Sequence, residues 1–156
     1  MPKEHHKVFQ QADSDLLVLA GTDVFGRDYY LLKKARDAFF ALCSEAQKEA
    51  VFIEVVSAFR SYDYQAGLIE KKLAKGDAID EIKKVVALPG FSEHHTGCAL
   101  DLTSKEEVDV LNEEFENTAA FRWLCDNAEK FRFYLSYPRG NSDGYIYEPW
   151  HWCYRV

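Results

Sequence analysis

The chain lacks a long apolar run and an excess of basic residues. The apolar stretch at 16–20 is too short to span a bilayer, and no signal-peptide core follows residues 1–6. No cluster of Lys or Arg could neutralise a phosphate backbone, and the formal net charge is −7. We therefore expect no transmembrane segment, no nucleic-acid partner and a cytoplasmic location. A chain trimmed of an export signal, and so acting at the cell envelope, would look the same.

The chain has few cysteines, and their spacing is not that of a metal-binding CxxC motif. The chain has four cysteines, Cys43, Cys98, Cys125 and Cys153, and none of them forms a CxxC pair. Nothing marks a disulfide framework, although the sequence leaves pairing open. Reduced thiols in a cytoplasmic protein are the simpler interpretation.

What is present indicates one globular domain. The chain has 156 residues, 47% of them hydrophobic and 15% aromatic, without a repeat or a linker. Residues 1–28 are predicted to form a loosely structured amino-terminal arm that packs on the domain, with turns at 21–23 and at Gly26. The predicted helices cover 30–48, 61–75, 78–86 and a segment from Thr118, and the predicted strands cover 51–56, 98–103, 131–136, 144–148 and 151–155. Helices early and strands late predict an α+β fold with a small antiparallel sheet flanked by helices.

Two separated segments carry the residues of a metal site. His94 and Asp101 flank Gly97, which permits a tight backbone excursion that could return both side chains to one point. His151 near the carboxyl end supplies a third candidate ligand. Two imidazoles and a carboxylate suit zinc and leave a fourth position for water, whose pKa zinc lowers to about 7. The pattern predicts a zinc-dependent peptidase.

Glu148 is the candidate catalytic base, because a short turn before His151 would place it near the metal without ligating it. Taken alone, Glu148 or His151 would more often be a surface residue on a carboxyl-terminal strand, but the joint pattern favours the metal site. His95 competes with His94 as a ligand, and their spacing cannot decide between them.

The motifs resemble those of the VanY-type D-alanyl-D-alanine carboxypeptidase family, from about Leu32 to the carboxyl end. The pattern Ser-x-His-x-x-Gly-x-Ala-x-Asp is met at 92–101, and Glu-x-Trp-His is met at 148–151. The segment 57–65 resembles the family's Ser-Gly-Tyr-Arg-Ser stretch followed by Gln, with Ala58 in place of the glycine. The resemblance implies the fold shared with VanX-like dipeptidases and the Hedgehog signalling domain, with 29–156 as the catalytic domain.

The resemblance also implies roles for individual residues. One Zn²⁺ would be held by His94, Asp101 and His151, with Glu148 as the base. Arg60 would reach the scissile carbonyl or the substrate carboxylate. The family positions near the substrate are occupied by Ser57, Gln65, Ser92 and Trp150, and a capping or packing role is an equal alternative for the first three.

The expected function is removal of a terminal D-alanine from a peptidoglycan stem peptide or muropeptide, at a D-Ala–D-Ala or an L–D bond. The alternatives are an endolysin-type endopeptidase, a D-Ala-D-Ala dipeptidase and a non-catalytic, zinc-stabilised binding domain. A cysteine hydrolase built on Cys98 or Cys153 is a distant further alternative. The sequence does not give an oligomeric state.

Overall fold

A β-hairpin opens the fold in the computed structural model, which describes residues 7–105 and 109–156. β1 (Leu17–Thr22) pairs antiparallel with β2 (Asp28–Leu32). The side chain of Asp23 accepts hydrogen bonds from the backbone N–H groups of Phe25 and Arg27, which closes the turn. The prediction of a loose arm is therefore wrong for 17–28. The turn predicted at Gly26 is confirmed, because it spans 23–27, whereas 21–22 belong to β1.

α1 (Lys33–Lys48) begins three residues later than predicted, because 30–32 pair with β1 instead of entering the helix. Strand pairing here overrides the helical period of the apolar residues. The buried face of α1 follows that period, with Ala35, Phe39, Leu42 and Ala46 inside. The Phe39 ring meets the Phe133 ring edge-on at a centroid distance of 6.0 Å, so α1 covers the main sheet.

The main sheet has four antiparallel strands, β3 (Ile53–Ser57), β4 (Ala99–Ser104), β5 (Phe133–Leu135) and β6 (His151–Tyr154). Their spatial order is β3-β4-β6-β5, so β4 is flanked on both edges and is buried along its whole length. The predicted α+β class with a small antiparallel sheet is confirmed.

The strand predicted at 144–148 is absent. The Asn141 side chain organises a turn there, accepting from the N–H of Tyr145 and donating to the Pro138 and Tyr145 carbonyls. Local side-chain bonds of this kind compete with a strand ladder. The segment is irregular and leads directly into the residues before β6.

Three further helices are α2 (Tyr62–Ala74), α3 (Ile79–Val85) and α4 (Ala119–Asn127). The predicted starts of two helices are confirmed, and both residues cap them: Ser61 Oγ accepts from the Tyr64 N–H at 3.0 Å, and Thr118 Oγ1 accepts from the Phe121 N–H at 3.1 Å. Gly76 follows α2 with φ 93°, as expected for the residue that ends a helix. No helix in the described ranges is both long enough and apolar enough to span a membrane.

Candidate metal centre and cleft

The three predicted ligands come from one turn and two adjacent strands. His94 lies in a 3-10 turn, Glu93–Thr96, which ends at Gly97 with φ 74°. A Cβ at Gly97 would lie 3.0 Å from Leu17 Cδ2 and 3.2 Å from the Leu32 nitrogen, so the position requires glycine. Asp101 of β4 and His151 of β6 are direct cross-strand partners. Sheet register therefore brings together residues that are fifty positions apart.

The donor atoms of this cluster are close enough to share one ion. Asp101 Oδ1 lies 3.1 Å from His94 Nε2 and 3.1 Å from His151 Nδ1. One ligand atom from each residue lies within 4.8 Å of the others, and all three residues are buried. Within 7–105 and 109–156, this is the group of His, Cys, Asp and Glu side chains that could hold a metal.

The hydrogen bonds of His94 show that a cation fits this cluster. Its Nδ1 lies 2.7 Å from the Ala58 carbonyl, which can only accept, so Nδ1 carries the proton. Burial lowers the pKa of His94 to about 4, so the ring is neutral near pH 7. The lone pair of Nε2 then faces the Asp101 carboxylate. Two acceptors at this distance need a cation between them, and zinc suits the imidazole and carboxylate donors.

His151 is held by a second carboxylate that the sequence analysis did not identify. Its Nε2 lies 2.8 Å from Glu93 Oε1, and both residues are buried. Burial alone would raise the pKa of Glu93, but the hydrogen bond and charge of His151 outweigh it and lower that pKa to about 2. Hydrogen bonds to Asp101 and Glu93 outweigh burial and raise the pKa of His151 to about 10, so without a metal its ring carries both protons. With a metal on Nδ1, the ionised Glu93 would accept the remaining Nε2 proton and orient the ring. The adjacency of Glu93 to His94 could not reveal this, because its partner lies 58 residues away.

His95 does not join the cluster, and the choice that spacing left open is resolved by its hydrogen bonds. Its Nδ1 lies 2.8 Å from the Arg60 carbonyl, and its Nε2 accepts from the Gly90 N–H at 3.1 Å. Both ring nitrogens are thus engaged by the backbone. The ring is fully buried and meets the Tyr62 ring edge-on at 4.5 Å.

Arg60 lies beside the cluster and contacts it through Asp101. Its Nη2 donates to Asp101 Oδ2 at 2.9 Å, and its Nε donates to Ser57 Oγ at 2.9 Å. The guanidinium is largely buried at the cleft wall. Burial would raise the pKa of Asp101, but its interactions with His94 and His151 and the charge of Arg60 hold that pKa well below its usual range, so Asp101 is a carboxylate.

Glu148 lies in the cleft, in the predicted turn before His151. Its N–H donates to the Tyr137 carbonyl at 3.0 Å, and its carbonyl accepts from the His151 N–H at 3.2 Å. Burial, reinforced by the Asp101 charge, raises the pKa of Glu148 to about 7 in the metal-free site, despite the opposing charge of His151. A carboxyl group with that pKa can exchange protons near neutrality.

The cleft around these groups has a volume of about 500 Å³ and is lined by all four predicted substrate residues, Ser57, Gln65, Ser92 and Trp150. Ser57 holds Arg60, and Ser92 Oγ accepts from the His94 N–H at 3.1 Å, so both have positioning roles. Gln65 Nε2 donates to the Ala87 carbonyl, whereas its buried Oε1 has no partner among the described residues.

The four cysteines are unpaired thiols. Burial raises the pKa of Cys98 and of Cys153, which disfavours the thiolate that a cysteine hydrolase needs. Neither sulfur belongs to the candidate metal cluster or lines the cleft. The arrangement supports a structural role for both.

The site has three ligands for one metal, His94, Asp101 and His151, and a separate carboxylate, Glu148. This arrangement is typical of a mononuclear metallohydrolase. The chain belongs to the VanY family of D-alanyl-D-alanine carboxypeptidases, whose model matches residues 28–156, as the motifs predicted. YodJ of Bacillus subtilis (strain 168), whose name assigns it provisionally as a carboxypeptidase, is 41% identical over 128 residues, which are 80% of this chain and 46% of that protein. The chain spans about half the length of the curated relatives it matches.

Solved structures share the fold. The LD-carboxypeptidase LdcB superposes with a TM-score of 0.81 at 35% identity, covering 92% of this chain and 69% of that one. A mutant of the vancomycin-resistance D,D-pentapeptidase VanY, in complex with Zn(II), gives a TM-score of 0.68 at 25% identity, over 96% of this chain and 80% of that one. The predicted DD-peptidase-like fold is confirmed.

Proposed function

We propose that this chain is a zinc-dependent carboxypeptidase that removes a terminal D-alanine from peptidoglycan stem peptides. The observation that carries the proposal is the buried cluster of His94, Asp101 and His151, in which His94 Nε2 and Asp101 Oδ1 lie 3.1 Å apart. The family and the zinc complex of a related VanY support this choice of metal and reaction. Zinc held by the three residues would polarise the scissile carbonyl and acidify a water molecule.

Glu148 is the group that moves protons in this proposal. It accepts a proton from the attacking water and delivers it to the nitrogen of the departing alanine. Its place in the cleft and its raised pKa support this role. A purely structural metal site has no need of such a residue, so its position favours catalysis over the binding-domain alternative.

Arg60 steadies negative charge on the substrate. Its guanidinium is held at the cleft wall by Ser57 and Asp101, beside the proposed metal ligands. A fixed cation there stabilises the oxyanion that develops from the scissile carbonyl, without reorganising during the reaction. The two hydrogen bonds supply the orientation that this effect requires.

The test is mass spectrometry of zinc-loaded protein incubated with stem pentapeptide, stem tetrapeptide and free D-Ala-D-Ala. Chelator-sensitive loss of one terminal alanine is the expected result, and the peptide that shortens identifies the D–D or L–D bond. Internal cleavage would instead establish an endopeptidase, and cleavage of the free dipeptide alone a dipeptidase. No cleavage with zinc bound would overturn the proposal.

Glu148→Gln is the matched control variant for this assay. Gln has nearly the same shape but cannot take a proton, so we expect bound zinc to be retained while turnover falls by about two to four orders of magnitude. Metal analysis of the purified variant checks the first half of this expectation. Undiminished turnover would show that Glu148 is not the base.

The cytoplasmic location remains a separate proposal, to be tested by fractionating source cells.

A further inference from the structure

One face of α2 forms a wall of the cleft along most of the helix. The cleft-lining residues of this helix are Tyr64, Gln65, Leu68, Lys71 and Lys72, with Lys75 directly after it. Their spacing of three and four residues is that of a single helix face. The helix begins two residues after Arg60, which contacts Asp101, so its first turn lies at the metal end of the cleft.

Charge is segregated along this wall. The cleft-lining acids Glu93, Asp101 and Glu148 are all at the metal cluster, whereas Lys71, Lys72 and Lys75 are at the other end of α2. In the part of the chain that the structure describes, none of these lysines forms an ion pair with an acid. The chain as a whole carries a net charge of −7. A basic cleft end on an acidic protein favours an anionic ligand group there.

The length of the helix sets how far this basic end lies from the reacting bond. At 1.5 Å per residue, Lys72 and Lys75 lie about 10 and 15 Å along the helix from Gln65. An extended peptide advances about 3.5 Å per residue, so the lysines lie roughly three to four residues along it. Gln65, in the first turn of the helix, lines the same wall.

We propose that Lys71, Lys72 and Lys75 form a subsite for a free carboxylate that the substrate carries roughly three to four residues before the scissile bond, or nearer to it on a long side chain. This inference rests on the proposed carboxypeptidase function and names its substrate class. Stem peptides can carry such a group as the α-carboxylate of γ-linked D-glutamate or as the side-chain carboxylate of diaminopimelate. Amidated, neutral stem peptides are the poorer substrates.

The experiment compares matched peptides of the length that the zinc-loaded enzyme shortens. One carries γ-linked D-glutamine and lysine and has no internal carboxylate. A second has D-glutamate in place of the D-glutamine, and a third has diaminopimelate in place of the lysine. We expect the neutral peptide to have a kcat/KM about fivefold lower than at least one anionic peptide, mostly through KM, since exposed ion pairs are individually weak. The anionic peptide that is preferred identifies the source of the carboxylate.

The triple variant K71M/K72M/K75M should abolish this preference by bringing the KM of the anionic peptides to that of the neutral peptide. Lys48→Met is the control, because Lys48 also lies in the last turn of a helix but outside the cleft. If these lysines only stabilised the end of their helix, replacing them would lower the unfolding midpoint without changing the preference between peptides. We expect Lys48→Met to keep that preference.

Equal cleavage of all three peptides would overturn the subsite and leave the carboxypeptidase proposal intact. A preference that survives K71M/K72M/K75M would also overturn it, because the recognition would then lie elsewhere. No cleavage of any peptide would refute both proposals together.

Discussion

The backbone of Arg60 is held on both sides by consecutive histidines. Its N–H donates to the His94 carbonyl at 3.0 Å, and its carbonyl lies 2.8 Å from His95 Nδ1. His95 Nε2 also accepts from the Gly90 N–H. One buried ring therefore connects the backbone at Arg60 to the loop that precedes the 3-10 turn of His94. The histidine that is not in the metal cluster therefore positions the arginine of the cleft.

Replacing His95 should separate its positioning role from metal binding. His95→Ala leaves the Arg60 carbonyl and the Gly90 N–H unpaired, so we expect a loss of about 3 kcal/mol in the free energy of unfolding. His95→Asn retains a donor where Nδ1 lies and should recover much of kcat/KM, whereas His95→Gln should recover less. Urea unfolding and peptide hydrolysis measure these effects. Equal activity of the Asn and Gln variants would contradict the role assigned to the Arg60 contact.

Glu93 should control how tightly the metal binds through His151. Removing its carboxylate in Glu93→Ala frees the Nε2 side of the ring, so we expect zinc affinity to fall about 10- to 100-fold. Glu93→Gln keeps an acceptor and should lose less. Competition with a chromogenic chelator measures the affinity. The exposed Glu129→Ala is the control, and a Glu93→Ala variant that binds zinc as tightly as this control would refute the prediction.

Glu148 should make the metal-free protein less stable as pH rises. Burial raises the folded-state pKa of Glu148 to about 7 from an ordinary 4.5, so the folded state holds a proton that the unfolded state releases first. Its contribution is fully present below pH 4.5 and is lost as pH rises through 7. Relative to Glu148→Gln, the wild-type free energy of unfolding should fall by up to about 3 kcal/mol across that window.

Urea unfolding in chelator, from pH 4.5 to 8, provides this comparison. Taking the difference from Glu148→Gln cancels other groups that titrate in the same range and do not depend on residue 148. A difference that stays constant with pH would show that Glu148 has no raised pKa in the folded protein.

The thiols should be dispensable for hydrolysis. Cys125 is exposed and should react readily with an alkylating reagent, whereas Cys153 is buried and burial raises the pKa of Cys43 to about 12. We expect alkylation under native conditions to modify Cys125 first and to leave activity intact. Peptide mapping identifies the modified residue. Inactivation that follows modification of Cys98 or Cys153 would revive the cysteine-hydrolase alternative.

Much of the architecture was predictable because local signals and tertiary structure agree. Helices were predicted to start at Ser61 and Thr118, and these residues cap α2 and α4, while Gly76 directly follows α2. The predictions of secondary structure fail where contacts with other segments decide the local structure. Residues 30–32 form a strand because β1 lies beside them, and the segment 144–148 follows the Asn141 turn instead of extending.

The sequence by itself determined the residue types of the site, the order of its motifs and the glycine that permits the turn after His94. Only the tertiary structure decided which of the two adjacent histidines faces Asp101, because that depends on the carbonyls of Ala58 and Arg60. It alone paired Glu93 with His151 and placed the lysines of α2 along the cleft. The physical reason is that hydrogen-bond partners and cleft walls come from segments far apart in the chain, which sheet register and helix packing bring together.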